Sequence, residues 1–316
     1  MGEVFAGRYE LVDVLDAGGM GTVWRVWDLR DRTYRAAKML SQSDGASLLR
    51  FVRETATRIE HPHVVAPTGW SAEDDRVLFA MPLVAGGSIA TLVADYGPLP
   101  AAFVQAITMQ LLDALAAVHD AGIVHRDVKP ANLLLDPTGT GEPHLRLSDF
   151  GIAVALDEPR LTRASDIVHT PGYAAPEVQR GADPDPRQDL YSVGMVLQEL
   201  LTGARPGGPP VVLDGPLAMF QRRLSDPDPA ARHPSAAAAR AELATIRVGE
   251  PDGEPVEVFD HLPELPVGWG TDGPAGPARQ AATRQPLTRR TRLRLVAGGL
   301  AAAGIALIAV AAALLG

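Results

Sequence analysis

From His125 to Asn132 the chain reads His-Arg-Asp-Val-Lys-Pro-Ala-Asn, and seventeen residues later it reads Asp149-Phe150-Gly151. A loop with a carboxylate at Asp127, an ammonium two residues on at Lys129 and an amide five on at Asn132 offers a base, an anion clamp and a metal ligand from one short segment. Asp149 adds a second oxygen ligand for a hard divalent cation. Far upstream, Gly18-Gly19-Met20-Gly21 lacks the side chains that would keep backbone N–H groups away from phosphate oxygens. Lys38 closes Arg35-Ala36-Ala37-Lys38, a cation among apolar neighbours, and Glu54 lies where it can pair with that cation. Taken singly, each has a plainer explanation: a hairpin turn, a strand-end lysine, a surface glutamate. Taken in order, they supply what phosphoryl transfer asks of a protein, which is positioning and charge neutralisation.

Those residues need elements to hold them. Alternating apolar positions predict strands over Tyr9–Leu15, Thr22–Trp27, Tyr34–Leu40 and Val77–Met81, with the glycines between the first two. Leu48, Leu49, Val52 and Ile59 have helical spacing over 45–60, ended by His61-Pro62. Phe103, Ile107, Leu111, Leu115 and Val118 form one apolar stripe of a long helix. Short strands follow at Leu133–Leu135 and Leu145–Leu147, then helices at Leu190–Leu201, Leu217–Leu224 and Ala236–Ile246. The reading is α+β: a small β-rich lobe followed by a larger helical one.

With these motifs in register, together with Thr170-Pro171-Gly172-Tyr173-Ala174-Ala175-Pro176-Glu177 and Asp189-Leu190-Tyr191-Ser192-Val193-Gly194, residues 8–246 resemble the bacterial eukaryotic-like (Hanks-type) Ser/Thr protein kinases. The resemblance implies the two-lobed protein kinase fold and ATP as phosphoryl donor, with Mg²⁺, or Mn²⁺ in its place. Asp127 would accept or orient the substrate hydroxyl proton, Lys129 would contact the γ-phosphate, and Asn132 and Asp149 would hold the metal. Nucleotide contacts would fall to Gly18, Gly19, Gly21, Val23, Lys38 (held by Glu54), the gatekeeper Met81, and Leu83 and Val84 of the hinge. Glu177 would pair with Arg232, and Asp189 would hydrogen-bond the catalytic-loop backbone. Autophosphorylation would fall on Thr162 and Ser165, where Arg126 can meet the phosphate.

Departures from the family pattern have consequences too. Asp16 stands at the first glycine of the phosphate loop, His169 at the glycine usual before Thr170, and after Gly203 the Pro/Gly-rich Ala204–Pro216 replaces a further helix that helps dock substrates. Asp16 and the missing helix leave an alternative, a membrane-tethered pseudokinase that works by docking. A small-molecule phosphotransferase is a third, disfavoured by the protein-kinase segment before Glu177.

Composition narrows the rest. With 29 basic and 38 acidic residues the net charge is −9, which argues against a nucleic-acid partner, and without cysteine there is no disulfide or thiolate chemistry. The expected organisation is a catalytic domain over 1–247, a Pro/Gly-rich linker over 248–294 and a transmembrane helix over 295–315. Leu295–Gly316 carries 22 residues with no charged or polar side chain, and as a helix would span about 33 Å. Arg289, Arg290, Arg292 and Arg294 precede it, so the positive-inside rule keeps the catalytic domain cytoplasmic at the cell membrane, with no room for an external sensor domain. Expected partners are proteins with Ser/Thr acceptors, the bilayer, and a second copy of the chain for autophosphorylation. Val256, Val258, Phe259, Leu262, Leu265, Val267 and Trp269 are more apolar than a spacer needs. They suggest that 255–270 folds back on the kinase domain, burying Phe259 and Trp269 where the missing helix would sit.

Overall fold

Alternation in the first eighty residues becomes an antiparallel sheet of six strands in the order β1-β2-β3-β4-β6-β5. The computed structural model describes residues 2–18, 21–41, 59–149, 154–155, 172–209, 211–249 and 255–275. The strands are β1 (Val4–Phe5), β2 (Tyr9–Gly18), β3 (Gly21–Asp28), β4 (Thr33–Ser41), β5 (Gly69–Glu73) and β6 (Arg76–Met81). One face packs Phe5, Tyr9, Leu11, Val26, Ala37, Leu78 and Ala80 into a first core, as a period-2 pattern requires. The β2–β3 register slips between Leu11 and Asp13 and again between Val14 and Asp16. Such bulges bend a strand and deepen its twist near functional sites. Strand β5 was not expected: Gly-Trp-Ser-Ala-Glu hardly alternates, and its place comes from edge pairing with β6.

The second lobe is built around the helix Ala101–Asp120. Ile107, Leu111, Leu112, Leu115 and Val118 are all fully buried on it, while Phe103 is only half-buried. This is the one described helix apolar and long enough to span a bilayer, and its burial makes it the core helix of this lobe. Capping explains the other boundaries. Ser88 accepts the Thr91 amide ahead of the helix Ile89–Tyr96, Asp185 accepts the Arg187 amide with Pro186 in the first turn, and Ser235 accepts the Ala238 amide. The helix Pro186–Thr202 stops at Gly203, which is left-handed at φ 68°. Past it, the described residues 203–217 form no helix before Ala218–Leu224 begins, and Val212 and Met219 lie exposed. The last helix ends at Leu243, short of the expected Ile246. The expected helix over 45–60 lies outside the described residues except for Ile59 and Glu60.

Contact topology makes one compact unit of Val4–Glu264 and a second of the residues before Val4 and from Leu265 onward. In the second unit, the strand Trp269–Gly270 pairs with the strand Gly273–Pro274. The first unit therefore runs beyond 247. Residues 255–264 do return to the two lobes, with other side chains inside than expected. Val256 and Val258 join the second core, and Phe259 is 53% exposed. The segment hydrogen-bonds Ala85, Tyr96, Gly139 and Arg25. The reason is alternation: an extended strand buries every second side chain, and Gly139 fixes the register that puts the valines inward.

Candidate active site

The loop between β7 (Ile123–Val124) and β8 (Leu133–Leu135) is held from beneath by one buried carboxylate. Asp189, in the first turn of the helix Pro186–Thr202, accepts the His125 amide at 2.9 Å and the Arg126 amide at 2.8 Å, and its Oδ2 lies 2.8 Å from His119 Nε2. Burial alone would raise its pKa. The His119 hydrogen bond, the nearby imidazoles and the Arg126 amide outweigh that and hold it below the ordinary carboxylate range. Arg126 is thereby kept at φ 65°, a left-handed conformation costing about 1–2 kcal/mol outside glycine. His125 is fully buried, with Nε2 3.1 Å from the Ser148 carbonyl oxygen. That ties the loop to the strand leading into Asp149.

On this support the polar residues of the loop converge. Lys129 Nζ lies 2.8 Å from Asp127 Oδ2. Asn132 Nδ2 donates to the Asp127 carbonyl and to Asp127 Oδ2, both at 2.8 Å. Its amide nitrogen is thus spent on Asp127, and Oδ1 is the atom left to ligate a cation. The Asn132 carbonyl in turn accepts from the Ser148 amide at 2.9 Å and from Ser148 Oγ at 3.0 Å. Strands β8 and β9 (Leu145–Leu147) pair Leu133 with Leu147, which places Asn132 and Asp149 at the same end of one ladder. Asp149 sits at φ 69° and forms an ion pair with Lys38.

Lys38 reaches Asp149 from β4, where its register partners are Val23 on β3 and Phe79 on β6. Met81 ends β6 opposite Ala36, and half-buried Leu83 and Val84 follow on the connection to the second lobe. Gly18 pairs with Gly21 at the end of the β2–β3 hairpin. Gly21, at φ 116°, lies so close to β4 that a Cβ there would meet the Met39 carbonyl oxygen at 2.6 Å. Packing, as well as any ligand, demands glycine there. Asp16 is exposed and accepts the Ala17 amide at 2.9 Å. Gly19, Glu54, Thr162 and Ser165 lie outside the described residues.

The donor set suits a hard cation. Asn132 and Asp149 offer oxygens, and among the described residues no three His, Cys, Asp or Glu gather into a metal cage of their own. An ion here would need oxygens from a phosphate to complete its shell, which is how Mg²⁺ is usually held.

Beyond the site, Glu177 and Arg232 form a bidentate pair at 2.7 and 2.9 Å, with Arg232 also donating to the Arg187 and Asp226 carbonyls. Tyr173 donates its hydroxyl to Glu199, and Ser192 Oγ donates to the Tyr173 carbonyl. The His119 and Glu199 partnerships were not read from the sequence; the sole signal was a histidine and a glutamate on otherwise buried helix faces.

The family model for the protein kinase domain matches residues 9–209. The chain is 38% identical over 242 residues to serine/threonine-protein kinase PkaA of Streptomyces coelicolor, covering 70% of this chain and 44% of that protein. It is 38% identical over 228 residues to PknD of Mycobacterium tuberculosis, covering 71% and 33%. To PknB of Mycobacterium leprae it is 32% identical over 315 residues, covering 89% and 49%. The chain spans about half the length of the curated relatives it matches. Matched by the kinase-domain model over most of its length and by these relatives at 32–38% identity, the chain belongs to the protein kinase family, among the bacterial serine/threonine protein kinases.

Proposed function

We propose that this chain transfers the γ-phosphoryl group of ATP to Ser/Thr hydroxyls of proteins, including its own, while tethered to a membrane. The observation that carries this reading is the pair of linked clusters, Asp127–Lys129–Asn132 on one loop and Lys38–Asp149 across the lobes. Asp127 orients the acceptor hydroxyl and takes its proton as the new bond forms. Lys129 neutralises charge on the transferring group, and Lys38 positions the α- and β-phosphates. Asn132 Oδ1 and the Asp149 carboxylate would hold Mg²⁺, which when bound supplies charge neutralisation between the phosphates. Support for tethering is the apolar stretch 295–316 behind four arginines, and the membrane side follows from those arginines. Thr162 and Ser165 remain the proposed autophosphorylation sites.

The test is incubation of the full chain with radiolabelled ATP and Mg²⁺ beside Asp149→Asn. Transfer by the wild type to itself or to a general acceptor protein, reduced at least about a hundredfold in the variant, supports the reading. Equal label in both, or none in either, overturns it in favour of a docking module.

A further inference from the structure

The extended segment 255–264 touches three parts of the catalytic unit in sequence. First it meets the helical lobe: Gly139 and Val258 exchange hydrogen bonds at 3.0 and 2.9 Å, and Val256 and Val258 enter that lobe's core. Tyr96 is drawn in as well, its hydroxyl 3.3 Å from both the amide and the carbonyl of Glu257. Next it meets the connection between the lobes, where the His261 amide donates to the Ala85 carbonyl at 2.7 Å. Finally it reaches the sheet. Arg25 on β3, 3% exposed, is held by a bidentate pair with Asp13 at 2.7 and 2.6 Å, and its Nη2 donates to the carbonyls of Pro263 at 2.9 Å and Glu264 at 3.4 Å.

The glycines at the crossing fit this path. A Cβ on Gly86 would meet the Leu135 carbonyl oxygen at 2.5 Å and Val258 Cγ1 at 2.9 Å. One on Gly87, at φ 75°, would meet the His261 ring at 3.0 Å. Ala85 directly follows Val84, the last residue assigned to the adenine-receiving connection. A strand fastened to both lobes and to the piece between them restricts the opening of the cleft they form. Hinged lobes open at a few such joining residues, and when only part of the population holds the closed arrangement, apparent ligand affinity falls by that fraction.

We infer that residues 256–264 are an intramolecular clamp that sets nucleotide affinity, with Arg25 and the His261 amide as its positioning groups. The inference rests on the kinase reading for what the cleft binds. The clamp acts on the arrangement of the lobes, so it alters capture of ATP and leaves the acceptor site and the chemical step largely as they are.

The experiment uses the full chain in detergent micelles and compares wild type with His261→Pro, Arg25→Gln, Arg25→Lys and, as a control in the same segment, Phe259→Ala. His261→Pro removes the donor to Ala85 together with the imidazole packed against Gly87, and Arg25→Gln removes the charge that joins Asp13 to the segment. Binding of a non-hydrolysable ATP analogue with Mg²⁺ is measured by calorimetry, and KM for ATP, KM for a peptide acceptor and kcat are measured alongside. Expected is a rise of about three- to tenfold in the analogue's Kd and in KM for ATP for His261→Pro and Arg25→Gln. Arg25→Lys should fall between them and wild type, Phe259→Ala should match wild type, and acceptor KM and kcat should stay within about twofold. Unchanged nucleotide affinity in both His261→Pro and Arg25→Gln overturns the clamp, whatever their melting temperatures do, because a merely structural strap would move stability alone. Analogue binding without phosphoryl transfer by the wild type defeats the catalytic reading but still tests the clamp. No binding by the wild type defeats both.

Discussion

At the scale of single residues, the most consequential group is one that touches no substrate. Asp189 gathers two backbone amides and His119 in a fully buried place. An amide side chain there would turn an N–H₂ toward donors it cannot accept from, so Asp189→Asn should cost about 3 kcal/mol and lower kcat with it, seen as a shifted urea midpoint at unchanged slope. Because its folded pKa is depressed, its stabilising effect is present above the unfolded carboxylate value near 4 and is lost as the pH falls further. Arg232 makes a comparable case. Its guanidinium serves Glu177 and two carbonyls at once, so Arg232→Lys should destabilise by about 2 kcal/mol despite keeping the charge, measurable in the same titration.

Histidine chemistry sets a pH window of its own. Burial is the main cause that pushes His63 and His233 below the usual imidazole range. His63 also faces His61 and His144, with Asp113 nearby, and its Nδ1 lies 2.8 Å from the Leu145 carbonyl oxygen. Groups whose folded pKa is depressed bind protons more readily when unfolded. Stability is therefore complete above about pH 6.5 and declines as the pH drops through the folded values. Melting temperature should fall between pH 7.5 and 5.5. His63→Asn, which keeps a donor toward Leu145, should flatten part of that slope; a slope unchanged by the substitution would remove His63 from the explanation.

At the scale of elements, the helix Ala218–Leu224 shows how position decides the cost of a change. Met219 is 72% exposed and Phe220 1% exposed. Met219→Gln should leave the melting temperature unchanged within the roughly 0.5 kcal/mol typical of surface substitutions. Phe220→Ala should cost about 3–5 kcal/mol through the cavity it leaves. Comparing the two by thermal denaturation checks that this helix packs as a core element even though the described residues 203–217 before it form no helix. Close packing against the helix Pro186–Thr202 supports the same view. A Cβ on Gly194 would meet the Ser225 amide nitrogen at 2.9 Å, so Gly194→Ala should destabilise although alanine is the better helix former.

At the scale of the whole molecule, the catalytic unit closes at Glu264, and the apolar stretch 295–316 stands apart from it in the sequence. Removing residues 288–316 should therefore give a soluble protein with unchanged kcat, while the full chain sediments with membranes. A truncated protein that still sediments with membranes would overturn the proposed anchor.

The chemistry was legible because it is local. Asp127, Lys129 and Asn132 lie within six residues, so one loop conformation brings them together, and period-2 and helical patterns marked most of the elements that carry them. Strand β5 escaped notice because edge pairing rather than alternation establishes it, while the helix Ile89–Tyr96 carries helical spacing at Ile89, Leu92, Val93 and Tyr96 over only two turns, too short a run to stand out. What the tertiary structure decided were the long-range partnerships. Asp189 meets amides more than sixty residues away, Glu177 meets Arg232, and Arg25 meets carbonyls near residue 264. No local pattern encodes such pairs, since they depend on which elements pack together. The segment after Val248 shows the same limit from the apolar side. Its composition announced that something would be buried, but hydrophobicity does not say which side chains. Strand register against Gly139 turned Val256 and Val258 inward and left the larger Phe259 in solvent.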